Sequence, residues 1–170
     1  QSDLPAIEAE AAQISQVVMN LVSNAAESQS DGVGRIAVRT GAVDLEAPPP
    51  GALFADTMGK GRHVYLEVTD AGVGMDELTR TRIFDPFFTT KELGKGTGQG
   101  LALAHSVIVK KHGGRLTFET KQGVGTTFFI LLPVSADPKT SSNQIPYPKS
   151  HYGNLLSPSM LLVRNFSHFP

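Results

Sequence analysis

Residues 70–88 read DAGVGMDELTRTRIFDPFF, and their reading decides the fold. They follow HVYLEVTD, an alternating apolar run at 63–70. A strand over 62–70 therefore ends at Asp70, with Val64, Leu66 and Val68 on one face. The loop after it carries Gly72 and Gly74 one residue apart, which suits a backbone that something approaches closely. A short helix is expected over 76–82, and 84–98 reads as irregular chain rich in Gly, Thr and Lys.

Upstream, AAQISQVVMNLVSNAAES at 11–28 repeats apolar residues at three- and four-residue steps (Ile14, Val17, Val18, Leu21, Val22, Ala25), the mark of an amphipathic helix. DGVG from Asp31 breaks it, and RIAVRTGAV at 35–43 alternates as a strand. The prolines of EAPPPGALFADTMGKG at 46–61 cannot join a sheet ladder, so this stretch is a loop or insertion. Downstream, GQGLALAHSVIVKKHGG at 98–114 is a helix that opens in glycines and stops at Gly113 and Gly114. RLTFETKQGVGTTFFILLPV at 115–134 is a hairpin turning at KQGVG. The order predicts an α+β domain with helices on one face of a largely antiparallel sheet.

The chain has 170 residues, 40% hydrophobic and 18% charged, enough for one domain with a real core. The net charge of −1 supplies no field for nucleic acid or acidic lipid. There are no cysteines, which excludes disulfides and thiolate chemistry and fits a reducing cytosol. No apolar run nears the ~18 residues that span a bilayer. Residues 135–170, rich in Ser, Pro and Asn, read as a flexible linker or tail after a domain at 1–134.

Three features carry chemistry, and each has a plain reading beside the functional one. GKGTGQG at 94–100 fails as a Walker loop, because Gly96 stands where Ser or Thr is required. It fails as a dinucleotide fingerprint, because Gln99 and Leu101 stand where the third glycine should be. It is a flexible glycine loop or, running straight into a helix start, an anion cradle. Asn20 and Asn24 share one stripe of the first helix. They are surface amides or an oxygen-lined face for a hard cation such as Mg²⁺. Asp70 is a turn residue or a carboxylate that accepts from the exocyclic amine of adenine and repels the carbonyl of guanine.

The order of these pieces is more telling than any one of them. Asn20-x-x-x-Asn24, Asp70-x-Gly-x-Gly, FDPFFTTK at 84–91 and GTGQGLALA at 96–104 resemble the N, G1, F and G2 boxes of bacterial sensor histidine kinases. The resemblance covers residues 4–134. It implies the Bergerat ATP-binding fold, a two-layer α/β sandwich whose sheet is mixed but mostly antiparallel. It implies ATP and Mg²⁺ as cofactors, with Asn24 as the metal ligand and Asn20 supporting the phosphates or a water. Asp70 would read adenine, with Gly72 and Gly74 under the base. Phe84, Phe87 and Phe88 would belong to the lid, and Lys91 would contact phosphate. Gly96, Thr97, Gly98 and Gly100 would carry the triphosphate, with Leu101 the first apolar anchor. Asn20 and Lys91 are the residues placed nearest the chemistry.

The resemblance also implies partners: a dimerisation hairpin bearing the acceptor histidine, and the receiver domain of a response regulator. None of the five histidines begins the acceptor motif. His63 falls in a strand, His105 and His112 on the helix after the glycines, and His151 and His168 in the tail. The chain is thus expected to be a monomeric, cytoplasmic catalytic lobe without nucleic-acid or direct membrane contact. It should bind Mg-ATP, hydrolyse it slowly and not phosphorylate itself. Two alternatives stay open, an anti-sigma-type serine kinase on the same fold and a non-catalytic nucleotide-binding module.

Overall fold

The computed structural model of the chain describes residues 4–29, 34–45, 60–92 and 96–134. Expectations on 31–33, 46–59, Gly94, Lys95 and the tail 135–170 lie outside the described residues. The elements run α1 (Ala11–Glu27), β1 (Ile36–Leu45), β2 (Gly61–Asp70), α2 (Glu77–Arg82), α3 (Gly100–His105), β3 (Arg115–Lys121) and β4 (Gly125–Pro133), in the expected order. The sheet order is β1-β2-β4-β3, and each pairing between described strands is antiparallel. The parallel pairing that a mixed sheet would contain does not occur among them.

One face of the sheet meets the helices. Val68, Phe128, Ile130, Leu132 and Leu116 are buried there against Val17, Leu21 and Ala25 of α1 and Ala104 and Ile108 beyond it. Leu66 packs at the edge of this core, as its phase with Val68 predicts, while Val64 lies outside it. Register explains the match: Val68 stands opposite Phe128, and Ile130 stands between Leu66 and Leu116. Leu21 is fully buried, and cutting such a side chain to Ala costs about 2–5 kcal/mol. The far face is polar. Thr69 and Thr127 share a hydrogen bond of 3.1 Å across it, and Arg39 pairs with Glu67 at 2.9 Å.

The single helix expected over 98–114 has two windings. Past α3 the chain widens into a π-helix, Ser106–Lys111. The periodicity of apolar residues gives no sign of this. The wide turn ends with His112, whose Nδ1 lies 2.9 Å from the Val107 carbonyl. Its Nε2 accepts from the Glu10 N–H at 3.2 Å, so Nδ1 is the protonated nitrogen. Lys111 adds an ion pair to Glu10 at 2.7 Å. The start of α1, which has no side-chain cap of its own, is thereby held by the end of the second helix. Asp76 caps α2 through the Thr79 N–H at 2.8 Å, and this bond lowers the Asp76 pKa.

Candidate functional site

The last turns of α1, the loop after β2 and the chain at 84–100 converge. Asp70 stands at their meeting point, 6% exposed. Its Oδ1 accepts from the Gly72 N–H at 2.8 Å, the Ser28 hydroxyl at 3.1 Å and the Thr126 N–H at 3.3 Å. Among the described residues no donor reaches Oδ2. One oxygen is thus fixed in place and the other remains an acceptor. A turn aspartate needs only the Gly72 bond. The bonds from Ser28 and Thr126 come from elements 42 and 56 residues away and hold the carboxylate at a set angle.

The glycines after Asp70 are required by the chain itself. A Cβ on Gly72 would run into Ser28, and one on Gly74, which sits at φ +64°, would run into the backbone of Lys121. The Val73 N–H donates to the Ser28 carbonyl at 3.1 Å, and the Gly123 N–H to the Val73 carbonyl at 2.7 Å. The loop is pinned between the end of α1 and the β3–β4 turn. This gives Gly72 and Gly74 a structural reason beside the expected place under a base.

Asn20 joins two elements. Its Nδ2 donates to the Gly100 carbonyl at 3.2 Å, and its Oδ1 accepts from Gln16 at 3.0 Å. It braces the start of α3 against α1. Asn24, one turn later, presents Oδ1 to the ammonium of Lys91 at 3.3 Å. Lys91 also pairs with Glu27. Two oxygens three residues apart on α1 therefore already seat a cation.

The phenylalanines divide. Phe84 turns inward, its ring 5.0 Å from His105 and 5.9 Å from Phe118, in the packed interior. Phe88 lies beneath the Arg82 guanidinium at 4.5 Å. Phe87 is 72% exposed and holds a left-handed backbone at φ +68°. Its N–H donates to the Gly98 carbonyl at 2.9 Å. A Cβ on Gly98 would strike the Phe87 backbone, and one on Gly96 would come within 2.8 Å of Thr89 Oγ1 and 2.9 Å of Lys91 Cδ. The glycines at 96 and 98 thus let two chain segments lie against each other. Thr97 is exposed, and its hydroxyl accepts from the Gln99 N–H at 3.4 Å. Leu101 packs on the core, as an anchor should. His105 is half-buried. Its burial, then Lys110, lower its pKa below 6.5.

Ser28, Thr126 and Glu27 were not legible in the sequence as site residues. Ser28 lies one turn past Asn24, and that spacing is a usable signal. Thr126 faces Asp70 only through the β2–β4 register.

Residues 9–136 match the family described as "Histidine kinase-, DNA gyrase B-, and HSP90-like ATPase". The sensor kinase CckA of Brucella abortus is 39% identical over 131 residues, 77% of this chain, and the chain spans only 13% of its length. The nucleotide-free catalytic domain of histidine kinase ThkA superposes with a TM-score of 0.56 at 30% identity, covering 75% of this chain and 71% of that one. ThkA in complex with the response regulator TrrA matches at TM-score 0.56 and 27% identity, over 83% of this chain and 33% of that one.

Proposed function

The chain belongs to the histidine kinase-, DNA gyrase B- and HSP90-like ATPases, an ATP-binding family, and on that premise we propose that it is the nucleotide-binding half of a sensor histidine kinase. It would hold Mg-ATP and offer the γ-phosphate to a histidine on a separate dimerisation hairpin. The receiver domain of a response regulator would take the phosphoryl group next. The sensor-kinase relatives and the ThkA–TrrA likeness favour this over an anti-sigma-type serine kinase.

The carrying observation is the divided carboxylate of Asp70. Oδ1 is committed to three donors, and Oδ2 is left to accept from an exocyclic amine. Adenine offers that amine where guanine offers a carbonyl.

Mg²⁺ fits the donor set, because Asn24 Oδ1 is an amide oxygen that already accepts a cation. The ion would neutralise phosphate charge. Asn24 would hold it, Asn20 would keep the start of α3 in place, and Lys91 would move its ammonium to a phosphate oxygen. Phosphoryl transfer asks for this kind of positioning and charge balance, with the nucleophile supplied from outside.

The deciding experiment is calorimetric titration with ATP and GTP in Mg²⁺, repeated on Asp70→Asn. Binding of ATP without GTP, weakened at least ten-fold in the variant, supports the reading. A folded chain that binds neither nucleotide ends it.

A further inference from the structure

Building on the nucleotide reading above, we propose that Ser28 is the positioning residue for the base-reading carboxylate and sets purine selectivity through Asp70. The Ser28 hydroxyl lies 3.1 Å from Asp70 Oδ1 and 2.8 Å from the Ala25 carbonyl. It has one proton for two acceptors. A hydrogen bond to an ionised acceptor is roughly twice as strong as one to a neutral carbonyl, so the proton goes to Asp70. The Ala25 carbonyl, set in the last turn of α1, is the weaker alternative.

The same residue grips the loop at two further points. Its carbonyl accepts from the Val73 N–H at 3.1 Å, and its side chain fills the space that a Cβ on Gly72 would need. Ser28 is also continuous with the cation seat, since its N–H donates to the Asn24 carbonyl at 3.0 Å. One helical turn therefore carries Asn24 at one end and the clamp on Asp70 at the other.

Without the hydroxyl, Oδ1 keeps the Gly72 N–H and the longer Thr126 bond. Both come from backbone on the β2–β4 side. The carboxylate then has no donor from α1, and its plane can rotate. Rotation lets either oxygen face the base, and discrimination between an amine and a carbonyl falls. Phosphate binding has no contact with Ser28 and should not change.

The test is a double-mutant cycle of Ser28→Ala and Asp70→Asn, with Ser28→Cys as a variant of similar size and weak donor strength. ATP, GTP and tripolyphosphate are titrated in Mg²⁺, and melting curves confirm folding. Ser28→Ala should lower the ATP-to-GTP affinity ratio about ten-fold, in line with loss of one hydrogen bond to a charged group. Ser28→Cys should fall between it and the wild type. Tripolyphosphate affinity should be unchanged, and Ser28→Ala should add nothing in the Asp70→Asn background. A wild type that discriminates, with an unchanged ratio in Ser28→Ala or with losses that simply add, overturns the role of Ser28 alone. A wild type that binds ATP and GTP equally overturns the nucleotide reading, and this inference with it.

Discussion

Lys91 and Asn24 are 67 residues apart in sequence, and the ammonium of one lies 3.3 Å from the amide oxygen of the other. Glu27 completes the contact. The expected phosphate-binding lysine is thus parked on the expected metal ligand, held by a neighbouring carboxylate. Nucleotide binding must draw Lys91 away from Glu27.

Glu27→Gln should therefore tighten Mg-ATP binding. The pair is partly exposed, and such pairs contribute up to about 1 kcal/mol, so the gain is at most about five-fold. Screening makes it shrink with ionic strength. Calorimetry at low and high salt checks both points; weaker binding in the variant would mean that Glu27 assists the ligand.

Asn24→Ala should remove the benefit of Mg²⁺ and little else. ATP affinity with the ion present should fall about ten-fold, the size of one lost contact to a charge. Affinity in EDTA should stay within about two-fold of wild type. Equal losses under both conditions would place Asn24 on the nucleotide instead of the ion.

Gly98 and Gly113 both hold left-handed backbone, at φ +63° and +60°, but only Gly98 has a neighbour in the way. Gly113→Ala should cost roughly 1–2 kcal/mol for the backbone alone. Gly98→Ala should cost more and should loosen the segment around Phe87. Urea unfolding and the rate of tryptic cleavage after Lys91 measure the two effects. Equal costs for the two variants would count against the packing of Gly98 on Phe87.

His105 makes stability depend on pH. Burial beside Phe84 lowers its pKa in the folded chain, so the unfolded chain binds the proton more readily. Its contribution is complete above the ordinary value of 6.5 and is lost as pH falls through the lower folded value. Melting temperature should drop on acidification below 6.5 more steeply in wild type than in His105→Phe. Parallel curves would remove His105 as the cause.

Much of the site was legible because its signals are local. Asp70, the glycines after it and the paired asparagines announce themselves by spacing, and the structure brings Asp70, Asn24 and Lys91 to one place. What was hidden depends on distant contacts. Thr126 reaches Asp70 only because β4 pairs with β2 in one register. Phe84 and Phe87 are three residues apart in one motif, yet Phe84 enters the core and Phe87 faces solvent, because the turn between them reverses the chain. The winding at Ser106–Lys111 was hidden for another reason. Ile108 is buried with Val107 and Val109 beside it, a cluster that suits either kind of helix.

That winding leaves a margin of one residue in the chain. A π turn is an α turn with an insertion, so the stretch Ser106–Lys111 has one residue more than regular winding would use. Deleting one residue there would restore an ordinary helix at little local cost. It would also rotate all that follows by roughly 100°. His112 and Lys111 would leave Glu10, and the entry into β3 would shift against β4. The extra residue acts as a spacer that phases the second helix to the first, and its removal would be felt at the start of α1, far from the cut.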